Sequence, residues 1–200
     1  MRTPRVLLIT DPAYADDAVV RVVTLAARAL PSGAFAVQLR DKGRAGRAPW
    51  ATRLRVVTGE LGVPLIINGD AALARAVGAD GVHFPSNAED SVVEEARDLW
   101  RSVAAHDDAG VERASLLGVN AVLVSPIFTT PGKGPPRGTK ALSRAVALAR
   151  GELAVIALGG VRVTDVIACY EAGADGVAVI RALLDASQPE EAARALGMLD

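Results

Sequence analysis

Cysteine is nearly absent from this chain: Cys169 stands alone among 200 residues. A single cysteine excludes an internal disulfide and suits a reducing compartment. It lies in Val166-Ile167-Ala168-Cys169-Tyr170, which reads as a helix facing the core, where a free thiol is a buried, inert filler. Histidine is scarce too, and His83, His106 and the one cysteine show no zinc spacing. Neither sign of charge dominates, the formal net charge being -1. That argues against a basic surface for nucleic acid or an anionic membrane. Any anion this protein binds must be met by a local site. No apolar run is long enough to span a bilayer. The run Val6-Leu7-Leu8-Ile9 is too short for the apolar region of a signal peptide. A cytoplasmic protein is expected. A P-loop, a dinucleotide fingerprint and a nucleophile elbow are also missing.

What the chain does have is a repeated joint. Gly78-Ala79-Asp80-Gly81-Val82 recurs as Gly173-Ala174-Asp175-Gly176-Val177, and in altered form as Gly118-Val119-Asn120-Ala121-Val122. Each copy follows an Ala/Leu-rich run and leads into a short apolar one. A glycine suits the left-handed residue that ends a helix, and Asp or Asn suits the turn after it. The joint therefore reads as helix, tight turn, buried strand, and its repetition points to a repeated strand–helix unit.

The alternation continues along the chain. Strands are expected over Val6–Thr10, Ala36–Arg40, Leu65–Asn68, Gly81–Phe84, Trp100–Ala104, Ala121–Val124, Ala154–Leu158 and Gly176–Ile180. Several are continuously apolar, as strands covered on both faces should be. Helices are expected over Asp16–Leu30, Pro49–Leu61, Asp70–Val77, Asn87–Asp98, Asp108–Leu117, Lys140–Arg150, Thr164–Ala172 and Pro189–Leu199. Pro49 and Pro189 suit a first helical turn, and Thr164 or its predecessor a cap. The tally is that of a single-domain (β/α)8 TIM barrel over residues 1–200. A doubly wound open sheet has the same local pattern and is the alternative. One loop, Thr129–Gly138, is rich in Gly and Pro and reads either as a lid or as passive surface.

In a barrel the chemistry sits just past the strands. Arg40 and Lys42 follow the second strand at alternating positions, and paired cations there suit a phosphate or diphosphate. Asn68 ends the third strand, and Asp70 follows as a possible helix cap. His83 lies at the end of the fourth strand and His106 after the fifth. Lys133 lies in the loop after the sixth. Gly159-Gly160 follows the seventh and Arg181 the eighth. That last pairing suits a phosphate met by backbone N–H groups and a guanidinium. For His106 the pattern alone favours a surface histidine at a helix start, since Asp107-Asp108 follow directly.

These motifs together resemble the family of thiamine phosphate synthase and its relative, the thiazole tautomerase. The resemblance runs through Leu8-Ile9-Thr10-Asp11, Gln38–Lys42, Ile66-Ile67-Asn68, Gly78–His83, Ser125-Pro126-Ile127-Phe128 with Pro131 and Lys133, Ile156–Val161 and Gly173–Val179. It covers nearly the whole chain in order. It implies a (β/α)8 barrel that binds a small phosphorylated thiazole at its C-terminal face. In the synthase, Arg40, Lys42, Asn68 and Lys133 match diphosphate contacts, and Mg²⁺ is held by carboxylates. Here the position after Asn68 is Gly69, and Pro85-Ser86-Asn87-Ala88 stands where a second Asp is expected. Ala104 stands where the family has a serine, and Arg181 replaces a small polar residue.

The tautomerase shares Asn-Gly and Pro-Ser at these places and carries a histidine aligned with His106, its general acid/base. The resemblance thus implies foremost a tautomerase-like enzyme acting on thiazole phosphate carboxylate. It would use His106, no metal and no other cofactor, with His83 structural. The alternatives are a Mg²⁺-dependent synthase with Asp70 and Asp90 as rearranged ligands, and a non-catalytic thiazole or thiamine phosphate-binding regulator. A homodimer is compatible with the apolar helices.

Overall fold

The computed structural model describes residues 1–41 and 45–198. Eight parallel strands close into a barrel in sequence order: β1 (Val6–Ile9), β2 (Phe35–Leu39), β3 (Leu65–Asn68), β4 (Gly81–Phe84), β5 (Trp100–Ala105), β6 (Ala121–Val124), β7 (Ala154–Leu158) and β8 (Gly176–Val179). β8 pairs back onto β1, with Val6 opposite Val177, which rules out the open sheet. The helices are α1 (Asp16–Ala29), α2 (Arg47–Glu60), α3 (Ala71–Val77), α4 (Asp90–Glu94), α5 (Asp108–Leu116), α6 (Gly138–Ala149), α7 (Val166–Glu171), α8 (Arg181–Leu184) and α9 (Pro189–Gly197). None is long and apolar enough to cross a membrane among the described residues.

Two apolar clusters follow from the two-residue period of a strand. One face of each strand packs on the helices, with Val37, Leu39, Ile67, Val82, Val103 and Val155 in that layer. The other face fills the barrel, with Leu7, Ile9, Ala36, Ile66, Trp100, Leu123, Ile156 and Ala178 in contact. Cys169 is fully buried on α7, and burial pushes its thiol up to about 11, which keeps it protonated and unreactive.

The repeated joint has a tertiary job beyond turning the chain. Asp80 Oδ2 accepts the Leu65 N–H at 2.9 Å. Asn120 Oδ1 accepts the Arg101 N–H at 2.8 Å. Asp175 Oδ2 accepts the Val155 N–H at 2.8 Å. Each joint thus ties the start of the strand that precedes it in the barrel. At Gly81 a Cβ would lie 2.7 Å from the Trp100 carbonyl, so only glycine lets that strand start close against β5.

Three helices differ from the sequence expectation. The helix expected over Asn87–Asp98 is only Asp90–Glu94. The buried guanidinium of Arg101 on β5 donates to the Val93 carbonyl at 3.2 Å, and Ala96 turns onto that carbonyl in an i→i+3 bond. The helix therefore tightens and stops. The helix expected from Thr164 starts at Val166, after a short 3-10 turn closed by Arg162 and Asp165. A four-residue helix, Arg181–Leu184, precedes α9 where none was expected.

Candidate active site

The strand period decides which side chains enter the barrel mouth. Gln38 lies two residues beyond Ala36, Asn68 two beyond Ile66, His83 two beyond Gly81, and Ser102 two beyond Trp100. All four are therefore on the inner face. They are also buried, at 1%, 5%, 5% and 0% exposure. On the opposite wall, Ile9, Leu123, Ile156 and Ala178 line the same interior. The mouth is thus split: a polar sector on β2 to β5 faces an apolar one on β6, β7, β8 and β1.

Within the polar sector the hydrogen bonding is incomplete. His83 Nδ1 and Ser102 Oγ pair at 2.9 Å. Gln38 Nε2 and Asn68 Oδ1 are buried with no partner among the described residues. Native proteins rarely leave such atoms unmet, and a site awaiting a ligand is a standard reason. A planar ring with an acceptor beside a donor would satisfy both. Sequence reasoning named Asn68 but passed over Gln38 and Ser102 as site residues. The signal for Gln38 was its place two residues before Arg40, on the same face.

Arg40 continues this face to the rim and is half-buried. Its backbone N–H donates to Thr10 Oγ1 at 3.0 Å, and that hydroxyl donates to buried Asp41 at 2.8 Å. Lys42 lies outside the described residues. His106 follows β5 directly and is exposed, with Nδ1 3.0 Å from the Ser125 carbonyl. The Ser125 hydroxyl lies 3.3 Å from the same nitrogen; in the tautomer whose Nδ1–H donates to the nearer carbonyl, Nε2 is left as an acceptor.

The Gly159-Gly160 pair sits at the end of β7 with φ of 92° and 69°. A Cβ on Gly160 would lie 2.5 Å from the Thr129 carbonyl, and one on Gly159 2.8 Å from Pro126 Cα. Close approach of the 126–130 backbone is thus enough to require glycine at both. Between these segments opens a cavity of about 450 Å³, bordered by Phe128, Thr129, Arg137, Gly160 and Arg162. The Thr129–Gly138 loop is pinned at its base, where Arg137 and Gly138 donate to the Pro126 and Ile127 carbonyls at 2.8 and 3.0 Å. Lys133 is exposed on that loop and does not border the cavity. Arg181 is exposed at the start of α8. It lies near the Tyr14–Asp185 hydrogen bond of 2.6 Å, and its charge acts on the Tyr14 hydroxyl.

The two carboxylates expected as rearranged metal ligands are engaged elsewhere. Asp70 Oδ1 accepts the Leu73 N–H at 2.8 Å as the cap of α3, and Oδ2 faces Arg47 Nη1 at 3.3 Å. Asp90 accepts from Arg113 Nε at 2.8 Å. Among the described residues no three His, Cys, Asp or Glu side chains gather as a metal site. The donor set present does not fit a carboxylate-held Mg²⁺.

Comparison with known proteins identifies the family. The family model described as thiamine monophosphate synthase matches residues 6–183. The chain is 38% identical over 202 residues to a thiamine-phosphate synthase of Roseiflexus castenholzii, covering 96% of this chain and 86% of the relative. It is 38% identical over 175 residues to the thiamine-phosphate synthase of Thermus thermophilus, covering 84% of each. In fold it is similar to a thiamine phosphate pyrophosphorylase from Pyrococcus furiosus, with a TM-score of 0.81, 24% identity, and 96% and 93% of the two chains covered. A match over most of the barrel, together with a rim of strand-end residues in the expected order, means that the chain belongs to the thiamine monophosphate synthase family.

Proposed function

We propose that this protein is a transferase of the thiamine-phosphate synthase type, joining a pyrimidine methyl diphosphate to a thiazole phosphate with release of diphosphate. The observation that carries the reading is the pair of unmet atoms, Gln38 Nε2 and Asn68 Oδ1. A ring nitrogen of a pyrimidine accepts from the first, and an exocyclic amino group donates to the second. The ring's apolar faces and edges meet the opposite wall of Ile9, Leu123 and Ile156. Relatives 38% identical over most of their length, all named as this synthase, support the same choice. They favour it over the tautomerase expected foremost from the sequence.

In the reaction, the bond from the pyrimidine methylene carbon to the diphosphate oxygen breaks, and the thiazole nitrogen bonds to that carbon. Arg40, at the rim above Gln38, meets charge on the departing diphosphate, and Lys42 and Lys133 are assigned the same task. The thiazole phosphate is assigned to the side of Gly160, Arg137 and Arg162, where the cavity lies. No strand-end carboxylate is assigned to hold a metal, because Asp70 and Asp90 are engaged elsewhere.

A second reading rests on one observation. His106 has its Nδ1 proton held by the Ser125 carbonyl, so Nε2 is poised for proton transfer as a tautomerase requires. One experiment separates the two readings. Purified protein is given the pyrimidine diphosphate and thiazole phosphate, or the thiazole phosphate carboxylate alone, each with and without Mg²⁺. Diphosphate release in the first mixture is expected. Isomerisation in the second, abolished in His106→Gln, would replace the transferase reading. Saturable binding without turnover of either would leave a regulator.

A further inference from the structure

Two strand-end loops of this barrel are built in the same unusual way. At the end of β3, Arg47 reaches from the start of α2, donates through Nη2 to the Asn68 carbonyl, and pairs through Nη1 with Asp70. At the end of β4, Arg113 reaches from α5, donates to the Ser86 carbonyl at 3.1 Å and to the Ala88 carbonyl, and pairs with Asp90. In each case an arginine grips the main chain of the loop and takes up the nearby carboxylate. Glu89, the other acidic residue beside Asp90, is exposed at the start of α4. Directly after Asn68 comes Gly69, at φ 69°, and a Cβ built there meets nothing within 4 Å. The space for a carboxylate exists at that position, but the side chain does not.

Mg²⁺ keeps several waters and binds through one or two carboxylates plus substrate phosphates. With Asp70 and Asp90 already paired with guanidinium groups, exposed Glu89 is too little to hold the ion without the phosphates, and the neighbouring positive charge repels a bare cation. We propose that the free protein does not hold the divalent ion of its reaction. The ion enters as a complex with the diphosphate, and Arg47 is a positioning residue that fixes the β3 end, with Asn68, in place of a metal. This inference rests on the transferase reading.

Equilibrium dialysis with Mn²⁺ tests it, using the free protein with and without inorganic diphosphate. Without diphosphate, no saturable Mn²⁺ binding is expected. With diphosphate, one Mn²⁺ is expected to bind alongside it. Gly69→Asp, which adds a carboxylate in open space at a backbone angle Asp tolerates better than most residues, is expected to bind Mn²⁺ alone saturably, where the natural chain does not. Arg47→Gln is expected to weaken diphosphate binding, with partial recovery in Arg47→Lys.

Stoichiometric Mn²⁺ binding by the free natural protein, lost in Asp70→Asn, Asp90→Asn or Glu89→Gln, would overturn the inference. So would diphosphate that binds with no Mn²⁺ beside it. Absence of diphosphate binding under every condition is a distinct result: it removes the transferase reading, and this inference with it.

Discussion

Gln38 and Asn68 stand on adjacent strands of the barrel, on the same inner wall, and each carries one buried polar atom that no described residue satisfies. One is a donor and the other an acceptor. A buried group without its hydrogen bond costs about 1–3 kcal/mol. The protein is thus less stable at this point than an apolar filling would make it, as expected where a site is kept ready for a ligand. Gln38→Leu should raise the unfolding free energy by about 1 kcal/mol, because it removes the unmet N–H at similar volume. The same change should raise KM for the pyrimidine substrate at least about tenfold, the loss of one hydrogen bond in a desolvated site. Urea denaturation and steady-state kinetics read the two effects separately. A large loss of stability would mean that Gln38 is satisfied within the fold.

His83 and Ser102 form the closed half of the same polar sector, paired at 2.9 Å on neighbouring strands in direct register. Ser102→Ala leaves the imidazole Nδ1 without its hydroxyl inside the barrel. A loss of about 1–3 kcal/mol in unfolding free energy is expected. Ala104→Ser, two residues further along the same face, places a hydroxyl nearer the rim and should not repair the loss. Recovery of stability in the double variant Ser102→Ala, Ala104→Ser would show that the hydroxyl's position is not what matters.

Tyr14 and Asp185 link the loop after β1 to the end of α8 across the rim. Burial, then the hydrogen bond to Asp185, push the Tyr14 hydroxyl up to about 12 from an ordinary value of 10.0. A value raised on folding means that the folded state holds the proton more tightly. The contribution is whole below about pH 10 and is lost as the pH rises toward about 12. Tyr14→Phe should therefore narrow its stability difference from the natural protein across that alkaline window and keep it constant below. Urea denaturation at successive pH values measures the difference directly. A gap that stays constant through the window would remove the Tyr14 assignment.

Much of the barrel was legible in order along the chain. The three glycine joints announced where helices end and strands begin, and the strands start at the positions they mark. The short fourth helix was not legible. Its expected run, Asn87 to Asp98, has helical spacing, but Arg101 comes from the next strand to take the Val93 carbonyl. At the site, Asn68 was recognisable from its place at the end of a strand, whereas His106 was singled out only by the family resemblance, its pattern alone reading as a surface histidine. Gln38 and Ser102 were not singled out, because a polar residue inside an apolar strand acquires meaning only when the strand's inner face is known. Asp70 and Asp90 were readable as acidic residues near strand ends. Their partners, Arg47 and Arg113, are distant in sequence and gave no sign of the pairing.

The sequence by itself determined the element order, the parallel strand–helix repeat and the set of chemical groups carried past the strands. These follow from local rules: glycine where a left-handed turn is needed, apolar runs where both faces are covered. Only the tertiary structure decided closure of the sheet, the division of the mouth into polar and apolar walls, and the pairing of two candidate carboxylates with arginines. Those outcomes depend on which side chains meet across the barrel. A hydrogen bond between residues 19 or 23 positions apart, as for His83 with Ser102 or Asp70 with Arg47, exists only once strand register has brought them together.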